Sequence, residues 1–389
     1  MVISTMTDDD CEVAIIGGGI HGAGVAQAAA AAGFNTLVIE QSHWAAGTSS
    51  RSSKLLHGGL RYLETAQLSL VRQSLQERNL LLKLAPELAH PLRFHIPIYR
   101  NTRRRPWQLL AGLSLYGLLS GFNPLSRFSW SRRIPSGLKR DGLQSVFSYW
   151  DGQTNDALLT EAVVKSAEKL GAETATPCTL VAAERTPRGY TLTLDHKGEQ
   201  RQVRTSFLVN CAGPWVNAVL DRIAPAPQQL ACELVKGSHL ILNERLSDDA
   251  FYLEAPDDGR AIFLLPWGEH SLLGTTECSY QGDPQAVAIS DQERSYLLNT
   301  AMHYFPDHSF EVIDQFAGLR VLPIGDSTAF SRPRECIFHI APEHPRLLSL
   351  YGGKLTTYRH TATQVVKLIS RELGRRPPIA DTATIKLTP

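Results

Sequence analysis

The chain has 389 residues, with 39 Lys and Arg against 38 Asp and Glu and a formal net charge of +1. That length leaves room for two domains and a substantial core. The balanced charge implies no general attraction to nucleic acid. The six cysteines form no C-x-x-C pair, so they are expected as reduced, mostly buried thiols, with no disulfide frame and no metal or iron–sulfur cluster. Residues 1–10 are polar and acidic without an apolar signal core, which sets the expected location in the cytoplasm.

Val13 to Ile16 is a short apolar run with a β-branched bias, as a buried parallel strand should be. Gly17-Gly18-Gly19-Ile20-His21-Gly22 follows and satisfies G-x-G-x-x-G. An Ala-rich helix is expected over Ala23 to Ala32, closed by Gly33, and a second strand over Thr36 to Ile39. Gly17 allows the tight turn, Gly19 lets a pyrophosphate approach the backbone, and Gly22 lets helix and strand pack closely. Glu40 lies 18 residues past Gly22, where a carboxylate can accept hydrogen bonds from a ribose. Strand, helix, strand and terminal acid agree on a dinucleotide site. The fingerprint alone does not separate FAD from NAD.

The block from Thr48 to Glu64 is dense in hydroxyls, glycines and fixed positive charge. Small residues and backbone N–H groups suit a cofactor, and the pair Arg61-Tyr62 suits an anionic substrate. Further on, Arg103-Arg104-Arg105-Pro106-Trp107 leads into an apolar stretch ending at Phe122. It is short of the ~20 residues a spanning helix needs. With Arg127, Arg132, Arg133 and Trp130 beyond it, it is either a monotopic contact with anionic lipid or a buried helix with solvated basic ends.

Phe207 to Asn210 reads as a strand opening into the small-residue turn Ala212-Gly213, the kind of strand end a cofactor can approach. Tyr351-Gly352-Gly353-Lys354 precedes a helix whose apolar positions Ala362, Val365, Val366, Ile369 and Leu373 share one face, with Gly374 as a cap. A Gly-Gly turn at a helix start offers free N–H groups and positive dipole character.

Taken in order, these blocks, with Lys236–His239, Pro266-Trp267, Gly274–Thr276 and Gly318–Arg320, resemble the FAD-dependent glycerol-3-phosphate dehydrogenases, within the glycine-oxidase-like (DAO) flavoprotein superfamily. The resemblance implies an α/β fold: a Rossmann-like FAD-binding domain with a discontinuous, mainly antiparallel-sheet substrate domain. The expected boundaries are 1–95, 145–215 and 315–389 for the FAD domain and 96–144 and 216–314 for the substrate domain. Substrate strands are expected near Leu230–Leu242 and Ala261–Thr276. Residues expected at FAD are Gly17, Gly19, Ile20, His21, Gly22, Glu40, Gln41, Thr48, Ser49, Lys54, Leu55, His57, Gly58, Gly213, Trp215, Gly353, Leu355 and Thr356.

The same resemblance puts Arg61, Tyr62 and Arg334 at the substrate phosphate, with Arg332 two residues from the last. Arginine suits this role because its fork matches phosphate oxygens. Arg320 and Lys354 fall near the reacting carbon and flavin. His239 is the first choice for the base, with water as the alternative. The implied reaction is hydride transfer from sn-glycerol 3-phosphate to flavin, with electrons passed to a quinone or another acceptor. The competing readings are an FAD enzyme for another small hydroxy acid or amino acid, and a flavin-binding subunit or sensor with little turnover. Three departures stand out. Glu277 stands where aspartate is usual, Val321 where proline is usual, and the family's further C-terminal helical domain is not expected in a chain that stops soon after its last helix.

Overall fold

Apolar runs with β-branched residues make the central strands, and the small-residue segment after the first of them makes the first helix. The computed structural model describes residues 11–63, 66–121, 123–132, 134–324 and 336–389, and for Arg61 the backbone alone. The first third of the chain forms β1 (Cys11–Ile16), α1 (Ile20–Ala31), β2 (Thr36–Ile39), β3 (Leu55–Leu56), α2 (Leu68–Leu84), β4 (Ala89–Tyr99), α3 (Pro106–Leu119) and β5 (Ser129–Ser131). The middle forms β6 (Leu143–Thr154), α4 (Asp156–Lys169), β7 (Glu173–Ala175), β8 (Thr179–Thr186), β9 (Gly189–His196), β10 (Glu199–Asn210), α5 (Val216–Leu220), β11 (Ile223–Ala224) and β12 (Cys232–Leu242). The remainder forms β13 (Ala250–Glu254), β14 (Ala261–Trp267), β15 (His270–Gly274), β16 (Cys278–Tyr280), α6 (Asp291–Tyr304), β17 (Val312–Pro323), β18 (Ile337–His339), β19 (Leu347–Tyr351) and α7 (Tyr358–Leu373).

Two sheets result. In the first, β7, β2, β1, β10 and β19 run parallel in that order. The first half of β10 pairs instead with β9, in an antiparallel meander that continues to β8. A parallel strand covered on both faces has to be apolar throughout, and Val13, Ala14 and Ile15 are fully buried. On one face α1 packs against both α4 and α7, joining Val25 and Ala29 to Phe207, Val209, Val365 and Ile369. The small side chains of α1 allow that close approach. On the other face Ala14, Ile16, Leu37 and Ile39 meet the meander residues Leu192, Leu194 and Val203.

The second sheet runs β16-β12-β15-β14-β13-β4-β6-β3, with β17 paired to β12 and β5 to β6. It is antiparallel except for the β13–β4 pair. Helices α2 and α3 cover one part of it and α6 another.

The substrate strands expected near 230–242 and 261–276 are β12, β14 and β15. The expected domain boundaries at 95, 145 and 315 fall inside β4, β6 and β17, and all three strands belong wholly to the second sheet. Local sequence blocks mark cofactor contacts, whereas sheet membership depends on partners remote in the chain. Helix α1 begins at Ile20 rather than Ala23, because the last fingerprint glycine lies inside its first turn. Gly33, at φ +88, closes it by donating to Ala30 O. The arginine-flanked segment is α3. Its inner face, Leu109, Leu113 and Tyr116, is buried, while Trp107 and Leu118 on its outer face are exposed.

Candidate active site

The ends of β1, β2 and β10 meet β12, β17 and the loop from Gly47 to His57 around one cavity of about 750 Å³. The glycine cradle forms its first wall. Gly17 has φ +109, and a Cβ there would lie 2.6 Å from Cys211 O. A Cβ on Gly22 would lie 1.8 Å from Gly17 O. Both positions therefore exclude a side chain. Gly19 is the N-cap of α1 and brings no side-chain cap, so the start of the helix faces the cavity with its positive end. Glu40 holds this turn in place: its carboxylate accepts from Gly18 N–H at 2.7 Å and from Ser42 N–H at 2.9 Å. Ser49 Oγ accepts from Ile20 N–H at 2.9 Å.

A second glycine pair lies beside the first. Gly352 and Gly353 have φ +77 and +103, and a Cβ on Gly353 would lie 2.2 Å from His21 Nε2. The first turn of α1 thus touches the turn that enters α7. Both ring nitrogens of His21 are buried without a hydrogen-bond partner among the described residues. Burial pushes its pKa down to about 4.

The loop after Gly47 is fixed from several sides. Thr48 Oγ1 donates to Leu319 O at 2.6 Å, and His57 N–H donates to Thr356 Oγ1 at 3.2 Å. Asp156, at the start of α4, is fully buried and takes three bonds from this loop: Ser52 N–H at 2.9 Å, Ser52 Oγ at 2.6 Å and Lys54 Nζ at 2.6 Å. A second buried carboxylate, Asp151 of β6, accepts from Gly58 N–H at 3.0 Å, Arg78 Nη1 at 2.8 Å and Tyr116 Oη at 3.1 Å. Burial raises the Asp151 pKa, and the Arg78 guanidinium opposes that rise.

Several cations also line the cavity. Arg320 Nη1 lies 3.7 Å from Glu277 Oε1, and Arg260 Nη1 lies 3.3 Å from Glu277 Oε2. Gly237 and Gly318 pair across β12 and β17; a Cβ on Gly237 would lie 3.1 Å from Arg320 Nη2, and one on Gly318 would lie 2.5 Å from Arg51 O. Lys354 Nζ sits 3.7 Å above the Tyr62 ring centroid. His239 is buried against Ser53, with Nε2 at 2.9 Å from Ser53 Oγ, and stacks on Phe316. Burial, then the nearby Arg320 and Lys54, lower its pKa to about 3.

Most sequence-expected residues line this one cavity: Gly17, Gly19, Ile20, His21, Glu40, Gln41, Thr48, Ser49, Leu55, His57, Tyr62, Gly213, Trp215, His239, Arg320, Gly353, Lys354, Leu355 and Thr356. Gly22, Lys54 and Gly58 do not bound it. Gly22 packs on Gly17, the Lys54 ammonium is held by Asp156, and Gly58 packs under Tyr116 and Leu75. Arg332 and Arg334 lie outside the described residues, as does the side chain of Arg61.

Sequence reasoning passed over Arg51, Ser53 and Arg260, which also line the cavity. Arg51 and Ser53 stood inside the hydroxyl-rich block, so their signal was present. Arg260, in the turn before β14, had none.

The glycine cradle, the start of α1 at the cavity wall and the second Gly-Gly turn give the backbone N–H groups and the shape that a dinucleotide requires, and Glu40 braces the cradle as an acceptor. The comparisons with known proteins agree. Residues 12–359 match the family described as FAD dependent oxidoreductase (DAO). D-erythritol 1-phosphate dehydrogenase of Brucella abortus (strain 2308) is 37% identical over 369 residues, covering 91% of this chain and 72% of that protein. Glycerol-3-phosphate dehydrogenase of Pseudomonas aeruginosa is 37% identical over 358 residues, covering 90% of this chain and 70% of that protein. Among solved structures, glycerol-3-phosphate dehydrogenase from Bacillus halodurans complexed with FAD superposes with TM-score 0.77 at 27% identity, covering 98% of this chain and 68% of that one. Glycine oxidase from Geobacillus kaustophilus shares the fold, at TM-score 0.73 and 20% identity, covering 97% of this chain and 98% of that one. The cradle and these likenesses lead to one conclusion: the chain belongs to the DAO family of FAD-dependent oxidoreductases, an enzyme with FAD as its cofactor.

Proposed function

We propose that the chain oxidises sn-glycerol 3-phosphate to dihydroxyacetone phosphate. Bound FAD supplies the acceptor for the substrate's hydride. The observation that carries the reading is that Arg320 and Lys354 line the same cavity as the glycine cradle, so fixed positive charge stands where a phosphorylated substrate would meet the cofactor. Arg320 orients the substrate hydroxyl and offsets the negative charge that grows on its oxygen. Lys354, held over Tyr62, adds a second cation to the cavity. Arg61, Tyr62 and Arg334 hold the phosphate in this proposal, which for Arg61 and Arg334 rests on motif alone.

His239 is a poor base in this setting. Protonating it at pH 7 against a pKa of about 3 costs roughly 5 kcal/mol. That cost favours water, the other acceptor considered, for the carbinol proton.

D-erythritol 1-phosphate is the second reading, since a dehydrogenase of that substrate is as similar as the glycerol-3-phosphate enzyme. Anaerobic bleaching of the flavin by a panel of polyol phosphates, hydroxy acids and amino acids tests both. Bleaching by sn-glycerol 3-phosphate well ahead of the rest is the expected result. Bleaching only by a hydroxy acid or amino acid overturns the phosphate reading. A flavin that dithionite reduces but none of the panel does would point to a binding subunit.

For the electron acceptor we infer a quinone at a membrane surface. No helix among the described residues is long and apolar enough to cross a membrane. The support is the outer face of α3, where Trp107 is 68% and Leu118 56% exposed, with Trp130 of β5 at 59%. Arg103, Arg105, Arg127 and Arg132, all exposed, flank these residues in the chain. Such a face suits shallow contact with anionic lipid. Co-sedimentation with phosphatidylglycerol vesicles, lost in Trp107→Ser/Trp130→Ser, is the expected outcome. Equal sedimentation of the variant would remove this face from the proposal.

A further inference from the structure

The carbinol oxygen of a polyol phosphate needs a hydrogen-bond partner inside the cavity, and the surroundings of Ser53 identify one. Ser53 Oγ lies 2.9 Å from His239 Nε2, and both residues line the cavity. The His239 ring is held in place. It stacks on Phe316 with centroids 4.9 Å apart, and it lies so close to Gly274 that a Cβ there would come within 2.2 Å of its Cδ2. Ser53 is fixed just as firmly, because both its chain neighbours, Ser52 and Lys54, are bonded to the buried carboxylate of Asp156.

The tautomer follows from the bonding. A neutral imidazole carries one N–H. His239 Nδ1 is buried and has no hydrogen-bond partner among the described residues. A proton on Nδ1 would be a buried donor without an acceptor, which is costly. On Nε2 the same proton is accepted by Ser53 Oγ. The Ser53 hydroxyl hydrogen is then free to point into the cavity.

We propose that His239 acts as a fixed donor to Ser53, and that the Ser53 hydroxyl so oriented donates to the carbinol oxygen of the substrate. Ser53 thereby joins Arg320 in stabilising the charge that develops on that oxygen. Neither Ser53 nor His239 gains or loses a proton; the carbinol proton passes to water, and the hydride with its electron pair goes to FAD. The low pKa of His239 has the same sense, since burial and the two cations facing the ring, Arg320 and Lys54, keep it neutral. This role rests on the polyol-phosphate reading of the substrate.

Two measurements on the FAD-loaded enzyme test it. The first is ¹⁵N NMR of histidine-labelled protein from pH 5.5 to 8.5, with His239 assigned through His239→Gln. The expected pattern is the Nε2–H tautomer throughout. An Nδ1–H pattern, or a titration inside that range, overturns the proposal. The second is stopped-flow flavin reduction by sn-glycerol 3-phosphate. Ser53→Ala should slow reduction by roughly 10²-fold, as loss of one oxyanion donor does, and Ser53→Thr should recover most of it. His239→Gln keeps an N–H donor but cannot titrate, so it should recover much of the rate that His239→Ala loses. If His239→Gln is as slow as His239→Ala, His239 is a base and the proposal fails. If wild-type flavin is not reduced at all, the substrate reading fails, and the tautomer measurement alone decides the role of His239.

Discussion

Replacing Lys54 by Met separates a structural lysine from a cofactor contact. The Lys54 ammonium lies 2.6 Å from Asp156 Oδ1, with the two side chains 7% and 0% exposed. Cation–π contacts to Phe316 at 5.0 Å and Trp267 at 5.6 Å surround the same nitrogen. Methionine fills most of that volume but removes the charge. Asp156 would keep Ser52 N–H, Ser52 Oγ and its own Ala157 N–H as donors, yet its carboxylate would be buried without a counter-ion. Breaking one side of such a pair costs about 3–5 kcal/mol. The assay is urea unfolding followed by tryptophan fluorescence at saturating FAD, with the FAD content of the folded protein measured alongside. Lys54→Met should lose that much stability while its folded fraction still binds FAD. Lys54→Met/Asp156→Leu should recover more than half of the loss, because the lone charge is gone too. A Lys54→Met protein within 1 kcal/mol of wild type that no longer holds FAD would refute this reasoning and return Lys54 to the cofactor.

Three further outcomes are expected. Gly353→Ala forces a Cβ onto His21 and strains a backbone at φ +103, so the purified protein should carry little FAD by absorbance while keeping its far-UV circular dichroism; a fully yellow variant would show that the turn yields easily. Arg320→Ala and Lys354→Ala should lower kcat for flavin reduction by ~10²–10³ with a smaller change in KM; reduction at the wild-type rate in both would mean the active site is misplaced. Acid should destabilise the fold through His21. Its folded pKa of about 4 is below the unfolded 6.5, so the unfolded chain takes up the proton first. The contribution is complete above pH 6.5 and is lost as pH falls toward 4. Between pH 7.5 and 5 this removes about 2 kcal/mol, and His21→Asn should lose less stability over that interval. An equal loss in wild type and variant would show that His21 is not buried neutral.

Much of the cofactor side was legible in the chain because its chemistry is local. The turn Gly17–Gly22, the small residues of α1, Glu40 at the end of β2 and the Gly352-Gly353 turn before α7 lie within short segments. A strand, a positive φ and a helix start are each set by near neighbours. Sequence could therefore place the fingerprint, and with it the Rossmann-like half of the fold.

What only the tertiary structure decided depends on partners far apart in the chain. Lys54 looks like a ligand-binding cation until Asp156, 102 residues on, is found against it. His239 looks like a free base until Ser53, 186 residues earlier, and the stacked Phe316 fix its ring in a site where burial and cations keep it neutral. The strands β4, β6 and β17 carry no mark of the sheet they join, because register comes from the pairing itself. Charge and hydrogen-bonding capacity belong to the residue. Whether they are spent on the fold or left for a substrate depends on which distant group the packing brings within 3 Å.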